Sequence, residues 1–258
     1  DIYGNGRAER MLARILAKLG LKSEEFIIAT KIGHFRGTAE HPYEPAHIRH
    51  QCEQSLINLR RDYIDVYYFH HGNFGEHLEE AAATMDDLVA EGKVRLKGLS
   101  AYSHEDFQRA APVVNPTVLQ SWANMTDTRF IEPGSPTAAL LEERSMSFVA
   151  FSPLAQARLL DKYDPEHPPQ FEDGDQRALN PAFQADALRA LRPKLEQVKS
   201  RFGSGVEDLA AAALQYVLGF PRVACVIPGF RNEQQVCCNL SAEGRPLSKA
   251  DRDFLRAV

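Results

Sequence analysis

EFIIATK, residues 25–31, is the stretch that decides the fold we predict for this chain. Its residues 26–29 form an unbroken apolar run with two adjacent isoleucines, and the stretch ends at Lys31. Such a run is typical of a strand that is buried on both faces, as the strands of parallel sheets are. In α/β barrels the active site lies at the carboxyl ends of the strands, so Lys31 is a candidate active-site residue.

A second stretch, YIDVYYF at residues 63–69, repeats this pattern and is followed directly by His70. Two strand candidates thus each end at a titratable side chain, and Tyr3 near the start of the chain is a possible third member of the group. Taken alone, each has an ordinary interpretation as a strand-end lysine, a structural histidine or a turn aromatic. The functional interpretation therefore depends on all three together.

The composition is that of a globular domain, with 44% hydrophobic and 25% charged residues in a chain of 258. This length is enough for one large domain with a full core. The formal net charge of −5 argues against nucleic acid or an anionic membrane as a partner, and no apolar run approaches the ~20 residues that span a bilayer. The four cysteines show neither disulfide nor metal spacing, so we expect a cytoplasmic protein without a metal site. Nothing in the sequence indicates the oligomeric state.

Strand and helix patterns alternate along the chain, which predicts a parallel sheet with right-handed crossovers. Strands are predicted at residues 25–31, 63–69, 94–99, 117–121, 147–151 and 223–227. Helices are predicted to begin near residues 7, 45, 78, 105, 138, 183, 206, 232 and 249. Pro193 is expected to interrupt the helix that begins near residue 183, and residues 155–181 form a long polar loop.

Two architectures fit six βα units of this length. One is an eight-stranded barrel that lacks its first two strands, and the other is a six-stranded doubly wound sheet. The sequence has no G-x-G-x-x-G motif between a strand and a helix. Because that motif is the usual phosphate-binding turn of doubly wound dinucleotide folds, its absence favours the barrel.

Seven short segments of the chain resemble the aldo-keto reductase superfamily, and they occur in the family's order over nearly the whole chain. They are YGNG (residues 3–6) with Glu9, Thr30–Lys31, DVYYFH (65–70), GLS (98–100), Gln120 with Asn124, SPL (152–154), and IPGFR (227–231) with Gln235 and Asn239. The single glycine of the last segment and its Gln/Asn pair resemble most the bacterial and potassium-channel β-subunit-like branch.

The resemblance implies a (β/α)8 TIM barrel formed by one domain over residues 1–258, with six βα units visible. It implies that the first two strands, and the family's catalytic aspartate five residues before the tyrosine, precede residue 1. Asp1 lies two residues before Tyr3 and is not the counterpart of that aspartate. We therefore expect that this sequence is incomplete at its N-terminus.

The same resemblance implies a catalytic set of Tyr3, Lys31 and His70, and NADP(H) as the cofactor. Hydride transfer to a carbonyl builds negative charge on its oxygen, so a proton donor and a positive group are needed there. A free tyrosine has a pKa of about 10, and a nearby ammonium favours the phenolate. We expect Lys31 to lower the pKa of Tyr3, and His70 to donate a hydrogen bond to the substrate carbonyl.

The remaining matches imply contacts with NADP(H). Ser100, Gln120 and Asn124 are expected at the carboxamide, and Phe151 is expected to stack on the nicotinamide, next to the matching residues Ser152 and Leu154. Gly229 permits close backbone approach, Arg231 suits a 2′-phosphate, and Gln235 and Asn239 share a helix face that could hold adenine. Ala101 stands where the family often has an asparagine.

We predict an NADPH-dependent reductase that converts a small-molecule aldehyde or ketone to the alcohol, with Tyr3 as proton donor. One alternative is an NADP(H)-binding regulatory subunit with little turnover. A second is a barrel enzyme of unrelated chemistry, such as a phosphate-handling isomerase or an aldolase that uses Lys31 as a Schiff base. Phe35, Phe74 and Trp122 lie in loops expected to line the pocket, which indicates an apolar or ring-bearing substrate.

Overall fold

The computed structural model describes residues 2–258, so Asp1 lies outside the described residues. The chain forms two compact units. The first contains the described residues up to Ser121 together with Pro136–Phe148, and the second contains Trp122–Ser135 and Val149–Val258. Each unit is described by itself below.

Strands and helices alternate through the described residues. The strands are β1 (Ala29–Ile32), β2 (Ile64–Phe69), β3 (Val94–Ser100), β4 (Val118–Trp122), β5 (Ser147–Phe151) and β6 (Val223–Ile227). The α-helices are α1 (Arg7–Leu19), α2 (Pro45–Leu59), α3 (Leu78–Ala90), α4 (His104–Val114), α5 (Pro136–Glu143), α6 (Ala185–Phe202), α7 (Val206–Leu218), α8 (Glu233–Leu240) and α9 (Lys249–Ala257). Short 3-10 helices lie at Ser23–Glu25, Ala155–Leu160, Gln176–Leu179 and Pro181–Phe183.

The strands follow one another in the sheet in chain order, from β1 to β6. The pairs β1–β2, β2–β3 and β3–β4 are parallel, with Lys31 opposite Tyr68 and Ser100 opposite Gln120. A doubly wound sheet would reverse its strand order at a switch point, and this sheet does not. The predicted α/β class is confirmed, and the sequential order is that of a (β/α) barrel, of which six strands are present.

The core of the first unit is built around β2, whose six residues are all buried. The sequence also determines where the neighbouring helices begin and end. Pro45 is the first residue of α2, where a missing backbone N–H costs nothing. Ser103 begins α4 by accepting a hydrogen bond from the backbone N–H of Asp106. These signals explain why α2, α3 and α4 lie close to their predicted positions.

The prediction for the first strand is wrong in part. Residues 23–25 form a 3-10 helix, and the strand begins only at Ala29. Ile28 is buried, but Ile27 is 79% exposed, so the apolar run is not covered on both faces. The backbone N–H of Ile28 donates to the carboxylate of Asp65 at 2.9 Å. Ile27 lies two residues before β1, which pairs with β2 alone within the described chain.

The prediction that Pro193 interrupts its helix is also wrong. The helix α6 runs without a break over 18 residues, with Pro193 inside it. A proline there removes one backbone hydrogen bond. Leu188, Leu191, Leu195 and Val198 are all buried on one face of this helix. Burial of that face offsets the loss, because tertiary packing supplies most of the stability of a protein helix.

None of the helices in residues 2–258 is long and apolar enough to span a membrane.

Candidate active site

Tyr3, Lys31 and His70 lie together in the first unit. The hydroxyl of Tyr3 is 3.3 Å from Nε2 of His70. Nζ of Lys31 lies 5.4 Å from the centroid of the Tyr3 ring and 5.7 Å from that of Tyr68. Because β1 and β2 are parallel neighbours, Lys31 and His70 are carried to the same edge of the sheet. The structure therefore brings together the three residues that the sequence singled out.

Tyr3 is held in position by the helix that follows it. The backbone N–H of Ala8 donates to the carbonyl of Tyr3 at 3.2 Å. Gly6 has a left-handed φ of 79°, and a Cβ there would come within 2.4 Å of the Asn58 amide. Glycine is required at this turn because any side chain would combine backbone strain with a clash.

A buried carboxylate links this turn to the strand of Lys31. Glu9 of α1 accepts a hydrogen bond from the Thr30 hydroxyl at 2.7 Å and one from the Asn58 amide at 2.9 Å. Thr30 directly precedes Lys31 in β1. The sequence singled out Glu9 only as a family match, and the parts of Thr30 and Asn58 were missed. The sequence signal that could have revealed this link is Glu9 itself, a glutamate on the buried side of the amphipathic helix α1.

The electrostatics of the three residues follow from their burial. Burial lowers the pKa of Lys31. Burial, followed by the charges of Lys31 and His34, holds the pKa of His70 well below its usual range. His70 is therefore neutral at neutral pH, so that one of its two ring nitrogens carries a hydrogen and the other is an acceptor.

The pKa of Tyr3 moves opposite to our expectation. Its ring is half exposed, yet the burial of its phenol and the neighbouring Tyr102 raise this pKa above the ordinary value. The predicted lowering of this pKa by Lys31 is not met in this structure, where burial and Tyr102 set the direction of the shift. A phenol with a raised pKa stays protonated at neutral pH, which suits a proton donor.

Two further side chains lie at this site and were missed by the sequence analysis. The ring of His34 contacts His70 edge-on, with the centroids 4.2 Å apart, and lies 5.2 Å from the ring of His71. Tyr68 is buried beside Lys31. Phe74, in contrast, is fully buried against Tyr43. The expectation that its side chain lines a pocket wall is therefore wrong.

Ser100 and Gln120 lie beside each other in the first unit. They are Cα partners, with Ser100 the last residue of β3 and Gln120 the middle residue of β4, and both are almost completely buried. Ser121 donates a hydrogen bond to the carbonyl of Ala101 at 2.6 Å. Two polar side chains of adjacent strands thus lie side by side, and their contact with the carboxamide stays a prediction.

The second unit contains a cavity of about 930 Å³, which we call the large cavity. It is lined by seven of the predicted residues, namely Phe151, Ser152, Leu154, Gly229, Arg231, Gln235 and Asn239. Asn124 lines a second cavity of about 490 Å³, which shares Phe151, Ser152 and Gln156 with the first. Asn124 is thus the predicted residue of this unit that does not line the large cavity. A volume of 930 Å³ lies near the upper end of the ~300–1,000 Å³ typical of ligand sites.

The turn between β6 and α8 is held by the side chains that follow it. The side-chain oxygen Oε1 of Gln235 accepts a hydrogen bond from the backbone N–H of Arg231 at 2.7 Å. The side-chain NH2 of Asn239 donates one to the backbone carbonyl of Gly229 at 3.3 Å. A Cβ on Gly229 would meet no atom of the described chain within 4 Å. Glycine is therefore not required there by packing within the protein. An open glycine beside a guanidinium and two amides is a donor set that fits the phosphate and base of a nucleotide.

The loop between β5 and α6 carries unusual backbone strain. Ser152, Ala155, Gln156, Ala157 and Asp161 all have left-handed φ values, between 46° and 69°, and none of them is glycine. Such conformations cost of order 1–3 kcal/mol each and cluster at binding sites. The segment lines both cavities of this unit. The sequence contains no glycine here to reveal the conformation.

Comparisons with known proteins identify the family of this chain. A model described as the aldo/keto reductase family matches residues 1–258. The chain is 30% identical over 263 residues to a probable aldo-keto reductase of Glycine max, covering 100% of this chain and 73% of that protein. It is 26% identical over 253 residues to a probable voltage-gated potassium channel subunit beta of Oryza sativa subsp. japonica, covering 94% and 75%.

Among solved structures, the holo form of an aldo-keto reductase from Bacillus halodurans matches with a TM-score of 0.81 and 26% identity. The match covers 100% of this chain and 80% of that one. The resemblance seen in the seven segments, including its potassium-channel β-subunit-like side, is confirmed. The chain therefore belongs to the aldo/keto reductase family and is an oxidoreductase.

Proposed function

We propose that this protein reduces an aldehyde or ketone to the alcohol with NADPH, and that Tyr3 donates the proton. The observation that supports this most is the 3.3 Å contact between the Tyr3 hydroxyl and Nε2 of His70, with Lys31 beside the same ring. These groups are a protonated phenol, a neutral imidazole and an ammonium. They are the donor and the stabilising charges that carbonyl reduction requires.

In the proposed mechanism, a bound reduced nicotinamide would supply the hydride that the carbonyl requires. Tyr3 donates its phenolic proton to the carbonyl oxygen, and the product leaves as the alcohol. The ammonium of Lys31 stabilises the phenolate that remains, until a proton from solvent restores the phenol. His70, neutral because its pKa is lowered, orients the carbonyl through its ring N–H.

The residues proposed to hold the cofactor retain the roles that the family resemblance implies. In the second unit we propose that Arg231 binds the 2′-phosphate, that Gln235 and Asn239 contact adenine, and that Phe151, with Ser152 and Leu154 beside it, lies against the nicotinamide. We further propose that Ser100, Gln120 and Asn124 bind the carboxamide. Gly229 would allow the backbone to approach the cofactor, since a Cβ there would meet no atom of residues 2–258 within 4 Å.

The decisive experiment is a carbonyl-dependent assay of NADPH consumption on a panel of aldehydes and ketones. We expect Tyr3→Phe to abolish consumption and to leave NADPH binding unchanged, as measured by fluorescence titration. If Tyr3→Phe keeps its activity, the proposed mechanism is wrong. A parallel titration with NADH tests the role of Arg231, because a 2′-phosphate contact would make binding selective for NADPH.

A second candidate function is that of an NADP(H)-binding subunit with little turnover. The similarity to the probable potassium channel subunit beta of rice favours it. It predicts tight NADP(H) binding and negligible reduction of every carbonyl compound in the same panel. The assay described above therefore distinguishes the two functions directly.

We also propose a cytoplasmic location, a small-molecule carbonyl substrate, and neither nucleic acid nor a membrane as partner. Cys52, Cys225, Cys237 and Cys238 are all free thiols, in keeping with a reducing compartment. Localisation of the tagged protein by cell fractionation would test the first point.

A further inference from the structure

Two side chains that the proposed mechanism does not use hold together the segments in which Lys31 and His70 lie. They are Tyr43, in the loop after β1, and His71, which follows His70 directly. Tyr43 is fully buried and His71 is partly buried. We call these two residues, with the backbone groups that they bind, the Tyr43–His71 clamp.

The Tyr43 hydroxyl binds both backbone groups of His71. It donates to the His71 carbonyl at 2.8 Å and accepts from the His71 backbone N–H at 3.0 Å. Burial raises the pKa of Tyr43, so the hydroxyl keeps the proton that it donates. The ring is fixed as well, because it packs on Phe69 and Phe74 with centroid distances of 5.1 and 4.6 Å. A buried, rigid group thus holds the backbone of His71 in place.

The imidazole of His71 forms the other half of the clamp and binds the segment after β1. Its Nε2 lies 2.7 Å from the Gly33 carbonyl oxygen, and its Nδ1 accepts from the backbone N–H of Asn73 at 3.2 Å. A carbonyl can only accept and a backbone N–H can only donate, so the ring hydrogen lies on Nε2. The two contacts therefore define one tautomer of His71, in which Nε2 donates to Gly33.

The clamp continues the pairing of β1 with β2 beyond the catalytic residues. The backbone N–H of His70 donates to the Ile32 carbonyl at 2.8 Å, and Gly33 and His71 follow these two residues. Gly33 has a φ of 142°, and a Cβ there would come within 2.4 Å of the Tyr43 hydroxyl. A side chain at this position would thus push Tyr43 away from His71.

We propose that Tyr43 and His71 are positioning residues, which hold the His70 ring in place beside the Tyr3 hydroxyl. This step rests on the proposed function, in which these two groups act on the same carbonyl oxygen. Because one peptide bond joins His71 to His70, a shift of the His71 backbone moves His70 as well. A misplacement of about 1 Å can lower a rate on the order of 100-fold, so the clamp affects the rate without touching the substrate.

Three substitutions test this role. Tyr43→Phe removes the hydroxyl and keeps the ring, and His71→Asn removes the donor at the position of Nε2. We expect each of them to lower kcat about 10-fold, to change KM less, and to leave NADPH binding unchanged in a fluorescence titration. The longer amide of His71→Gln reaches the Gly33 carbonyl with its NH2 group, so this conservative variant should restore most of kcat.

Tyr67→Phe is the matched control for the tyrosine. Tyr67 lies in β2 and is fully buried, and within residues 2–258 its hydroxyl has no hydrogen-bond partner. The control therefore removes the same atom from the same strand as His70 follows, without breaking a bond. We expect its kcat to equal that of the parent protein.

His47→Asn is the matched control for the histidine. Nε2 of His47 lies 2.7 Å from the carbonyl oxygen of Phe35, in the same loop as Tyr43. Its loss should lower the melting temperature and leave kcat unchanged. If the clamp only stabilises the fold, Tyr43→Phe and His71→Asn behave in the same way, and the proposal is wrong.

A spectroscopic experiment separates this proposal from the proposed function. In protein labelled with ¹⁵N-histidine, we expect hydrogen on Nε2 alone in His71, and ring signals of His70 that shift in Tyr43→Phe but not in Tyr67→Phe. Signals that disappear in His70→Gln and in His71→Gln assign the two rings. Hydrogen on Nδ1 of His71, or unshifted His70 signals in Tyr43→Phe, would contradict the proposal.

The spectra and the assay together show which of the two proposals fails. If the His70 and His71 signals behave as expected in a protein that reduces no carbonyl, the clamp stands and the reductase function fails. If the protein reduces carbonyls and Tyr43→Phe and His71→Asn keep the parent kcat, the positioning role alone is overturned.

Discussion

The hydroxyl of Thr30 donates a hydrogen bond of 2.7 Å to the buried carboxylate of Glu9. Through this bond, the helix that follows Tyr3 is joined to the strand residue that precedes Lys31. Glu9 thus links the segment that carries Tyr3 to the strand that carries Lys31. Each of the following experiments examines one part of this arrangement.

Replacing Glu9 with alanine should destabilise the protein and slow the reaction. The Thr30 hydroxyl and the Asn58 amide would both lose a buried acceptor, at a cost of about 1–3 kcal/mol for each group left without a partner. Urea denaturation measures the loss, and kcat reports the displacement of Tyr3. Glu9→Gln, which keeps an oxygen for Thr30, should lose less. An alanine variant within about 0.5 kcal/mol of the parent would show that this carboxylate is not a structural link.

Carbonyl reduction should continue without loss into alkaline pH. The reaction consumes the proton of Tyr3, whose pKa is raised above its ordinary value of about 10 by burial and by Tyr102. We therefore expect kcat to fall only above that pH. A steady-state pH profile with saturating substrate and NADPH measures this. A fall centred at pH 7 to 8 would instead show that Lys31 lowers the phenol pKa in the complete site, and Lys31→Met should then abolish that limb.

Stability should decrease as the pH falls below about 6.5, the ordinary pKa of histidine. His70 keeps a lowered pKa in the folded state, so the unfolded chain takes up its proton first. The contribution of His70 to the free energy of unfolding is fully present above the pKa that His70 has in the unfolded chain. It is lost as the pH drops towards the pKa that His70 has in the folded protein. Melting temperatures between pH 8 and 5 measure the slope. His34 and His41 have lowered pKa values as well, so His70→Gln should flatten the slope in part. An unchanged slope would contradict this account.

Gly229→Ala should leave stability unchanged and weaken NADPH binding. A Cβ at this position meets no atom of the described chain within 4 Å, so only an approaching ligand would feel it. Thermal melting and a fluorescence titration with NADPH measure the two effects. Gly98→Ala provides the opposite case, because its Cβ would come within 2.3 Å of the buried Tyr68 ring and should destabilise the fold. Unchanged NADPH affinity in Gly229→Ala would argue against a cofactor at this turn.

Much of the fold was predictable because its signals are local. Five of the six buried residues of β2 are aliphatic or aromatic, with Asp65 the exception, and the positions of α3 and α7 follow from their periodicity. The first strand was overextended because burial depends on a neighbouring strand, which a sequence pattern does not reveal. Pro193 was misjudged for a related reason, since the buried face of α6 is a tertiary property.

In the candidate site, too, the features that depend on local sequence were predicted, and those that depend on tertiary structure were missed. Lys31 and His70 were predicted to meet because parallel strands end at a common edge. The direction of the Tyr3 pKa was missed, because it depends on how deeply the phenol is desolvated in the folded protein.

The left-handed alanines beside the two cavities bear on how this protein would respond to selection. Ala155 and Ala157 occupy conformations that glycine adopts without strain, so glycine should be the more stable residue at either position. A screen for heat-resistant variants is therefore expected to accept glycine here early. In such variants the loop would be more flexible. Their ligand affinities, compared with that of the parent protein, would show how much the rigidity of the loop contributes to binding.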